Sequence, residues 1–476
     1  MIKQVFTLIG LFIISLVTIQ TLPNIYNSIS KDTLSPFILL TLTPLAIFLL
    51  NPYYFSSPQI YMVDFSCFKP PSHCKAPFAR FIEASEASGT FSKETIATMS
   101  KILHMSGISQ ETYLPPSIFS MPPKPDHKES VDEAHTVLFT SMSDLLSKTR
   151  VLPQEIDILI VNCCYFCTSP SFSSIIINKF KLREDVKSYT LSGMGCSASI
   201  AAVDLAKNLL TVHNGQNAVV LSTEIISQTW YPGNDPSMLT INCLFRMGGA
   251  AILLTNKPQL KHMSKYKLLL SLRTQIASVD AAYNSSQIHT DSNGIDGFRV
   301  QRGLMKIVSQ TLIHHIKALA PRILPVRETL RYMISSFLPT KLIPSHKTCS
   351  SNVLYVPNFK TAVDHFMLPT SGKAWVKTMG KGLGLDEWDV EPTLMTLRRF
   401  GNQSSSSIWY VLAYIEAKGR VKEGDRLLQL MVGTGMKCCS AVWECVRSIN
   451  GEAETGPWAD CIDRYPEAMS GLTETS

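Results

Sequence analysis

Cys196 carries the clearest chemical signature in the chain. It sits in Leu191-Ser192-Gly193-Met194-Gly195-Cys196-Ser197-Ala198-Ser199, where two glycines bracket Met194 and small residues follow the thiol. Glycines permit a sharp turn, and the apolar spacing from Ile200 to Lys207 predicts a helix starting at Cys196. A thiol at a helix N-terminus faces free backbone N–H groups and the positive end of the helix dipole, and both favour the thiolate. Such a cysteine is a candidate nucleophile. A small cysteine packed between helix and sheet would show the same local sequence, because free cysteine is among the most buried residue types. A second stretch echoes the first. Arg399-Phe400-Gly401-Asn402-Gln403-Ser404-Ser405-Ser406-Ser407 opens the apolar run Ile408 to Ile415, again through a glycine-containing loop and small residues. The echo points to two similar halves, each presenting a helix N-terminus to one shared site.

The other cysteines do not organise a site. Twelve in 476 residues have no spacing that reads as a disulfide framework, which implies a reducing compartment. Cys164 and Cys167 form a C-x-x-C, but no second pair or matched histidines complete a zinc pattern. Cys163 and Cys164 end an apolar run and are expected to be buried. Cys438, Cys439 and Cys445 form a second loose group. No metal and no cofactor is expected.

The elements that must position Cys196 alternate between strand and helix. Ile156 to Asn162, Ala218 to Glu224, Met247 to Leu254 and Leu427 to Val432 read as buried strands, the last ending in Gly433-Thr434-Gly435. Helical patterning appears at Lys93 to Met105, Ser130 to Thr149 and Ser173 to Phe180. Strands alternating with helices make an α/β domain. Pro321 to Pro344 is apolar and basic with several prolines, and fits a channel cover, a membrane contact or a linker equally. The tail beyond Asn450 is polar and acidic, although Pro457 and Trp458 imply that part of it docks.

Charged residues make up only 17% of the chain, fewer than the usual quarter, and a membrane-associated segment would account for the deficit. Val5 to Leu22 and Leu34 to Leu50 are apolar runs near the lower end of the roughly 17–25 residues that span a bilayer. A signal peptide would explain the first run alone. The second run, and the lack of a clear small-residue cleavage site, favour a transmembrane helical hairpin. Lys3 before it and Lys69, Lys75 and Arg80 after it place both ends in the cytosol. The net charge of +7 suits an anionic membrane surface or a phosphorylated substrate, and is too weak and dispersed for nucleic acid.

In order along the chain, several motifs resemble the plant-type 3-ketoacyl-CoA synthases, the condensing enzymes of membrane-bound fatty-acid elongation. They are Glu111-Thr112-Tyr113-Leu114-Pro115-Pro116, Asn178-Lys179-Phe180-Lys181-Leu182-Arg183 and Gly193-Met194-Gly195-Cys196-Ser197-Ala198. Gly233-Asn234-Asp235, Asn242 to Ala250, Arg399-Phe400-Gly401-Asn402 and Glu416-Ala417-Lys418-Gly419-Arg420 continue the series, so the resemblance runs from about Tyr53 to Trp443. It implies a thiolase-like layered αβαβα fold built from two similar halves, preceded by the membrane hairpin. The expected division is 1–55 hairpin, 56–260 first half with the nucleophile, 261–450 second half and 451–476 polar tail. It further implies that Cys196 takes an acyl group from a long-chain acyl-CoA, and that malonyl-CoA loses carbon dioxide to give the attacking carbanion. Backbone N–H groups at Cys196 and in the Gly433–Gly435 loop would hold the first oxyanion, and Asn402 would help to hold the second. The implied setting is the endoplasmic reticulum membrane, with the catalytic domain in the cytosol, other elongase subunits as partners, and a homodimer or heterodimer.

One departure bears on the chemistry. The family reads roughly H-F-x-x-H-A-G-G-R where this chain reads His365-Phe366-Met367-Leu368-Pro369-Thr370-Ser371-Gly372-Lys373, so Pro369 occupies the expected catalytic histidine position. Proline has no side-chain donor and no backbone N–H. His365 matches the first histidine, but four extended residues put it about 13 Å away. Arg398 and Gln275, and with them Leu270, also stand where histidine is expected, and Cys439 stands where asparagine is. Two functions follow. One is a condensing enzyme making very-long-chain 3-ketoacyl-CoA. The other is a catalytically impaired relative that binds or regulates within the elongase. The retained Cys196 and Asn402 against the lost histidine predict efficient acylation and slow condensation.

Overall fold

The computed structural model describes residues 58–120, 126–337 and 356–467. The expected membrane hairpin lies outside the described residues, and among these no helix is long and apolar enough to cross a membrane. Among the described residues there are eleven strands and ten helices of nine residues or more. The strands are β1 (Tyr61–Cys67), β2 (Ile158–Asn162), β3 (Lys187–Leu191), β4 (Asn217–Glu224), β5 (Gly248–Thr255), β6 (Tyr266–Gln275), β7 (Ser286–Thr290), β8 (Asp296–Val300), β9 (His365–Met367), β10 (Arg426–Gly433) and β11 (Lys437–Cys445). The helices are α1 (Phe78–Ala87), α2 (Lys93–Ser106), α3 (His127–Thr149), α4 (Phe172–Phe180), α5 (Ala198–Val212), α6 (Leu304–Ile323), α7 (Val326–Phe337), α8 (Lys373–Leu383), α9 (Glu387–Phe400) and α10 (Ser407–Ala417).

The four strands read from composition are present, with ends shifted by a residue or two. α3 starts a turn earlier than the apolar pattern alone implies, because the Asp126 carboxylate accepts the Glu129 backbone N–H at 2.8 Å and caps the helix there. β6 and β11 are not among the strands read from composition; β6 carries Leu268 to Leu270, β11 carries Ala441 to Trp443, and the two pair antiparallel from Gln275 and Lys437 to Tyr266 and Cys445.

Nine strands form one mixed sheet in the order β3-β2-β4-β5-β1-β6-β11-β10-β9. β2 is parallel to β3 and β4, and its Ile-Leu-Ile-Val-Asn sequence is buried throughout, as expected for a parallel strand covered on both faces. β1 joins the two groups of strands through a short antiparallel register with β6 at Tyr61 and Met62. β7 and β8 form a separate hairpin.

The position of α5 explains the layering. Its first nine residues are small or apolar apart from Asp204, and it packs against β2 and β4 on one side and β6, β10 and β11 on the other. α10 is buried along its entire length and lies against β1, β5 and β9. A helix apolar all round is stable only when covered all round, so these two make the central layer. α3 and α4 cover the outer face of the first strand group. On the other side α9 packs on β9, and α6 reaches β6 and β11 through His315, whose ring meets Thr274 Oγ1 at 2.8 Å and Ser440 Oγ at 2.9 Å. Burial pushes His315 down to about 4, so the ring is a neutral structural clamp near neutral pH. The result is the αβαβα stacking. Part of the polar tail docks as its composition implied: Trp458 is fully buried, donates from Nε1 to the Tyr410 carbonyl at 3.1 Å and meets Phe400 edge-on at 5.0 Å.

Candidate active site

The chain leaves β3 through Gly193 and Gly195, both in the left-handed region at φ +69° and +58°, and enters a short 3-10 turn, Gly195–Ser197, that leads into α5. Cys196 is the middle residue of that turn. Gly193 donates its N–H to the Cys164 carbonyl at 3.0 Å, and Gly195 N–H points at Cys164 Sγ at 3.0 Å. On the far side a Cβ on Gly195 would lie 2.6 Å from Thr434 N, and one on Gly433 would lie 2.2 Å from the Met194 carbonyl oxygen. Only glycine permits this approach, so the end of β10 is pressed directly against the Cys196 turn.

The second half repeats the device. α9 ends at Gly401 (φ +75°), and a 3-10 turn, Ser404–Ser406, opens α10. Asn402 is held by its backbone between the Leu244 carbonyl and the Arg246 N–H. Its Oδ1 accepts from Ser404 N–H at 2.8 Å and Ser407 Oγ at 3.4 Å, which leaves the amide Nδ2 as the free donor. A buried polar chain locks the two helix starts together. Ser405 Oγ donates to Asn162 Oδ1 at 2.8 Å, Asn162 Nδ2 donates to Ser222 Oγ at 2.7 Å, Ser222 Oγ donates to Ser199 Oγ at 2.9 Å, and Trp409 Nε1 donates to Ser199 Oγ at 2.6 Å.

Cys196, Asn402, Pro369 and Gly433 line one cleft of about 1080 Å³, together with Cys164, Glu224, Ser404 and Thr434. Its wider walls are apolar, from Leu244, Phe298, Val308, Trp375 and Met379 among others. Sequence pattern alone gives Glu224 and Ser404 no role and assigns Cys164 to burial. An acid at the end of the all-buried strand β4 was the available signal for Glu224. Its carboxylate accepts from Tyr165 N–H at 2.9 Å and Ser404 Oγ at 3.0 Å, and burial holds it above the usual carboxylate range. Ser404 is a buried non-glycine residue at φ +55°, a strained conformation. Its Oγ lies 3.8 Å from Cys196 Sγ.

Several expectations change here. Cys196 is not a ready thiolate. Burial pushes its thiol up to about 11, and the nearby Glu224 carboxylate adds to the shift, while the Ser404 hydroxyl and the residue's own N–H only partly oppose it. Among the described residues no lysine, arginine or histidine lines the cleft to reverse this. Among the described cysteines Cys167 is the exposed one, Cys163 is buried, and Cys164 lines the cleft instead of being buried. His365 is not a substitute donor: it is buried at the start of β9, its Nε2 pairs with Asp425 Oδ2 at 3.0 Å, and its ring lies against Trp388. β9 separates it from Pro369, which follows Leu368, whose N–H is anchored on Thr393 Oγ1 at 3.2 Å. Gly435 shapes the β10–β11 turn at φ +67° and does not line the cleft; Gly433 does. Arg398 pairs with Glu467 and Gln275 is exposed at the end of β6, so neither reaches the site. Leu270 is on β6 and Cys439 is buried on β11.

The paired helix starts and the central buried helices lead to a comparison with known proteins. Residues 53–342 match the family described as FAE1/Type III polyketide synthase-like protein, and residues 360–445 match the 3-oxoacyl-[acyl-carrier-protein] synthase III C-terminal family. Arabidopsis thaliana 3-ketoacyl-CoA synthase 5 is 45% identical over 424 residues, 89% of this chain and 85% of that protein. Synthase 6 from the same plant is 43% identical over 444 residues, 93% of this chain and 87% of its own length. The chain belongs to the 3-ketoacyl-CoA synthase family. For this family member, solved structures confirm the thiolase-like α/β fold: a fungal type III polyketide synthase, ORAS, covers 81% of the chain and 99% of its own at a TM-score of 0.62 and 16% identity. The Streptomyces coelicolor tetrahydroxynaphthalene synthase matches with the same TM-score, coverage and identity. Within this 3-ketoacyl-CoA synthase frame, Cys196 and Asn402 sit at the two helix starts, and Pro369 faces the same cleft.

Proposed function

We propose that the protein is a condensing enzyme that joins the acyl group of a long-chain acyl-CoA to the two-carbon unit of malonyl-CoA, with loss of carbon dioxide. The observation that carries the reading is the meeting of Cys196 and Asn402 in one apolar-walled cleft, each held at a helix start. In the first step the Cys196 sulfur attacks the acyl-CoA carbonyl and forms a thioester, and CoA departs. Backbone N–H groups around Cys196, pressed against Gly433, suit the oxyanion of that step. In the second step malonyl-CoA decarboxylates, the Asn402 amide donates to the enolate oxygen, and the carbanion attacks the thioester.

A second cavity of about 950 Å³ between α6 and α8 supports a long acyl chain. It shares Val308, Trp375 and Met379 with the catalytic cleft, and Leu312, Ile316 and Leu383 extend its apolar lining. The two N-terminal apolar runs support action at a membrane, in this reading that of the endoplasmic reticulum with the catalytic body in the cytosol. Work beside other elongase subunits and as a homodimer or heterodimer belongs to the reading through the family resemblance alone. The retained nucleophile and amide donor favour the enzyme over a purely regulatory subunit. The test is 3-ketoacyl-CoA formation by the membrane-embedded full chain given long-chain acyl-CoA and malonyl-CoA. Product is expected and should vanish in Cys196→Ala; product that persists in that variant would overturn the assignment.

A further inference from the structure

Among the described residues no histidine lines the cleft to take the Cys196 proton. Acylation must take a proton from Cys196, and a thiol pushed up to about 11 holds it tightly near neutral pH. Among the described residues, the groups lining the cleft that can titrate are Cys164, Tyr165, Cys196 and Glu224. Cys164, pushed up to about 12, is a weaker acid than Cys196 and holds its own proton; Tyr165 is raised by burial as well. Glu224 is the carboxyl group of the cleft, and its geometry is specific. Glu224 Oε2 accepts from Ser404 Oγ at 3.0 Å, and Ser404 Oγ is 3.8 Å from Cys196 Sγ. A hydroxyl has one proton to give and two lone pairs to accept with. The single Ser404 proton has two acceptors within reach: directed at Cys196 Sγ it steadies the thiolate, and directed at Glu224 Oε2 it leaves an oxygen lone pair to take the Cys196 proton. The carboxylate is steadied from behind by Tyr165 N–H at 2.9 Å and Cys163 Sγ at 3.6 Å. The serine is held at φ +55° by its N–H bond to Asn402 Oδ1, so the enolate donor and the relay hydroxyl are fixed by one short loop.

We propose that Ser404 and Glu224 form a proton relay for Cys196, with Glu224 as the terminal proton acceptor. This rests on the condensing function proposed above. In acylation the Cys196 S–H bond breaks, its proton moves to Ser404 Oγ, and the serine proton moves to Glu224 Oε2. The sulfur electron pair forms the C–S bond to the acyl carbonyl, and the CoA thiolate leaves and takes a proton from water. In condensation the malonyl carboxylate departs as carbon dioxide, its bonding pair becomes the enolate, and the enolate carbon displaces Cys196. The Cys196 thiolate then recovers its proton from Glu224 through Ser404. Glu224 ends the cycle as it began. Its position above the usual carboxylate range brings it nearer the proton affinity that transfer near neutral pH demands.

The relay makes an unusual pair of predictions for Glu224→Gln in the membrane-embedded full chain. The Glu224 carboxylate raises the Cys196 thiol, so removing its charge increases the thiolate fraction and speeds alkylation by iodoacetamide. Acyl transfer from a long-chain acyl-CoA to Cys196 instead slows, on the order of 10²-fold, because the acceptor is gone. A merely structural role would move both rates the same way. Ser404→Gly removes the hydroxyl while suiting the positive φ, and should slow acylation by a similar factor. Glu224→Asp should recover part of the acylation rate. Acylation within about threefold of the unmodified protein in both Glu224→Gln and Ser404→Gly would overturn the relay and leave the function standing. An unmodified protein that accepts no acyl group from any acyl-CoA would overturn the function and the relay together.

Discussion

At the scale of single residues, the site is defined by one substitution and its surroundings. Pro369 occupies a cleft position facing Cys196 and Asn402, yet brings no donor to it. His365 is committed to Asp425 and Trp388, so it does not compensate. In the proposed mechanism the enolate has the Asn402 amide as its side-chain donor, while acylation draws on Cys196, Ser404 and Glu224. A missing oxyanion donor costs on the order of 10²–10³ in rate. Pro369→His is accordingly expected to raise condensation by on the order of 10² relative to acylation. Single-turnover measurement of acyl-enzyme formation and decay separates the two steps, and an unchanged ratio would show that Pro369 is harmless.

At the scale of elements, the site depends on two loops touching through glycine. Gly433, at the end of β10, sits where a Cβ would meet the Met194 carbonyl at 2.2 Å and Ser197 Oγ at 2.3 Å. These are backbone and short-side-chain atoms in a rigid turn, so relief requires the loops to part. Overpacking of this kind costs about 1–3 kcal/mol, and a displacement near 1 Å at a reacting centre can cost about 10²-fold. Gly433→Ala is expected to cut acyl-enzyme formation by on the order of 10²-fold while the secondary structure survives. Acylation at the unmodified rate, with unchanged unfolding temperature, would mean that this contact does not shape the oxyanion site. The same element scale explains what sequence reading reached. The glycine turn at Cys196 and its echo at Asn402 are local, and both appear as 3-10 turns opening central helices. The strength of the thiol as an acid was not local, because it depends on burial and on Glu224 from another strand.

At the scale of the whole molecule, a buried ion cluster ties distant segments together. Lys265 is 1% exposed and meets Glu416 at 2.9 Å, Asp64 at 3.0 Å and Glu452 at 2.6 Å, so it joins the start of β6, the end of α10, β1 and the polar tail. Removing one partner of such a cluster strands the rest, at about 3–5 kcal/mol. Lys265→Met is expected to destabilise the fold by that amount near neutral pH. Burial already holds the Glu416 carboxyl above its ordinary value, with Lys265 pulling it down, so loss of Lys265 raises it further. A carboxyl raised in the folded state favours folding at acidic pH and loses that contribution as pH rises. The deficit of Lys265→Met should therefore shrink as the pH is lowered from neutral, as followed by denaturant unfolding. A deficit that stays constant or grows on acidification would show that Glu416 is not the stranded charge.

The sequence by itself determined the local grammar of this protein: the buried strands, the glycine turn before Cys196, the repeated turn before α10, and Pro369 at the position where the family resemblance implies a histidine. These are legible because turn geometry and apolar periodicity act over a few residues. Tertiary structure decided which groups act together. It brought Glu224 from β4, Ser404 from the second helix start and Gly433 from β10 to within reach of Cys196, from positions up to 237 residues away in the chain. It also removed His365 and Gly435 from the cleft and raised the proton affinity of the half-buried Cys196 thiol. The physical reason is that proton affinity and hydrogen-bond partnership are set by surroundings in space, and those surroundings are assembled by long-range sheet and helix packing.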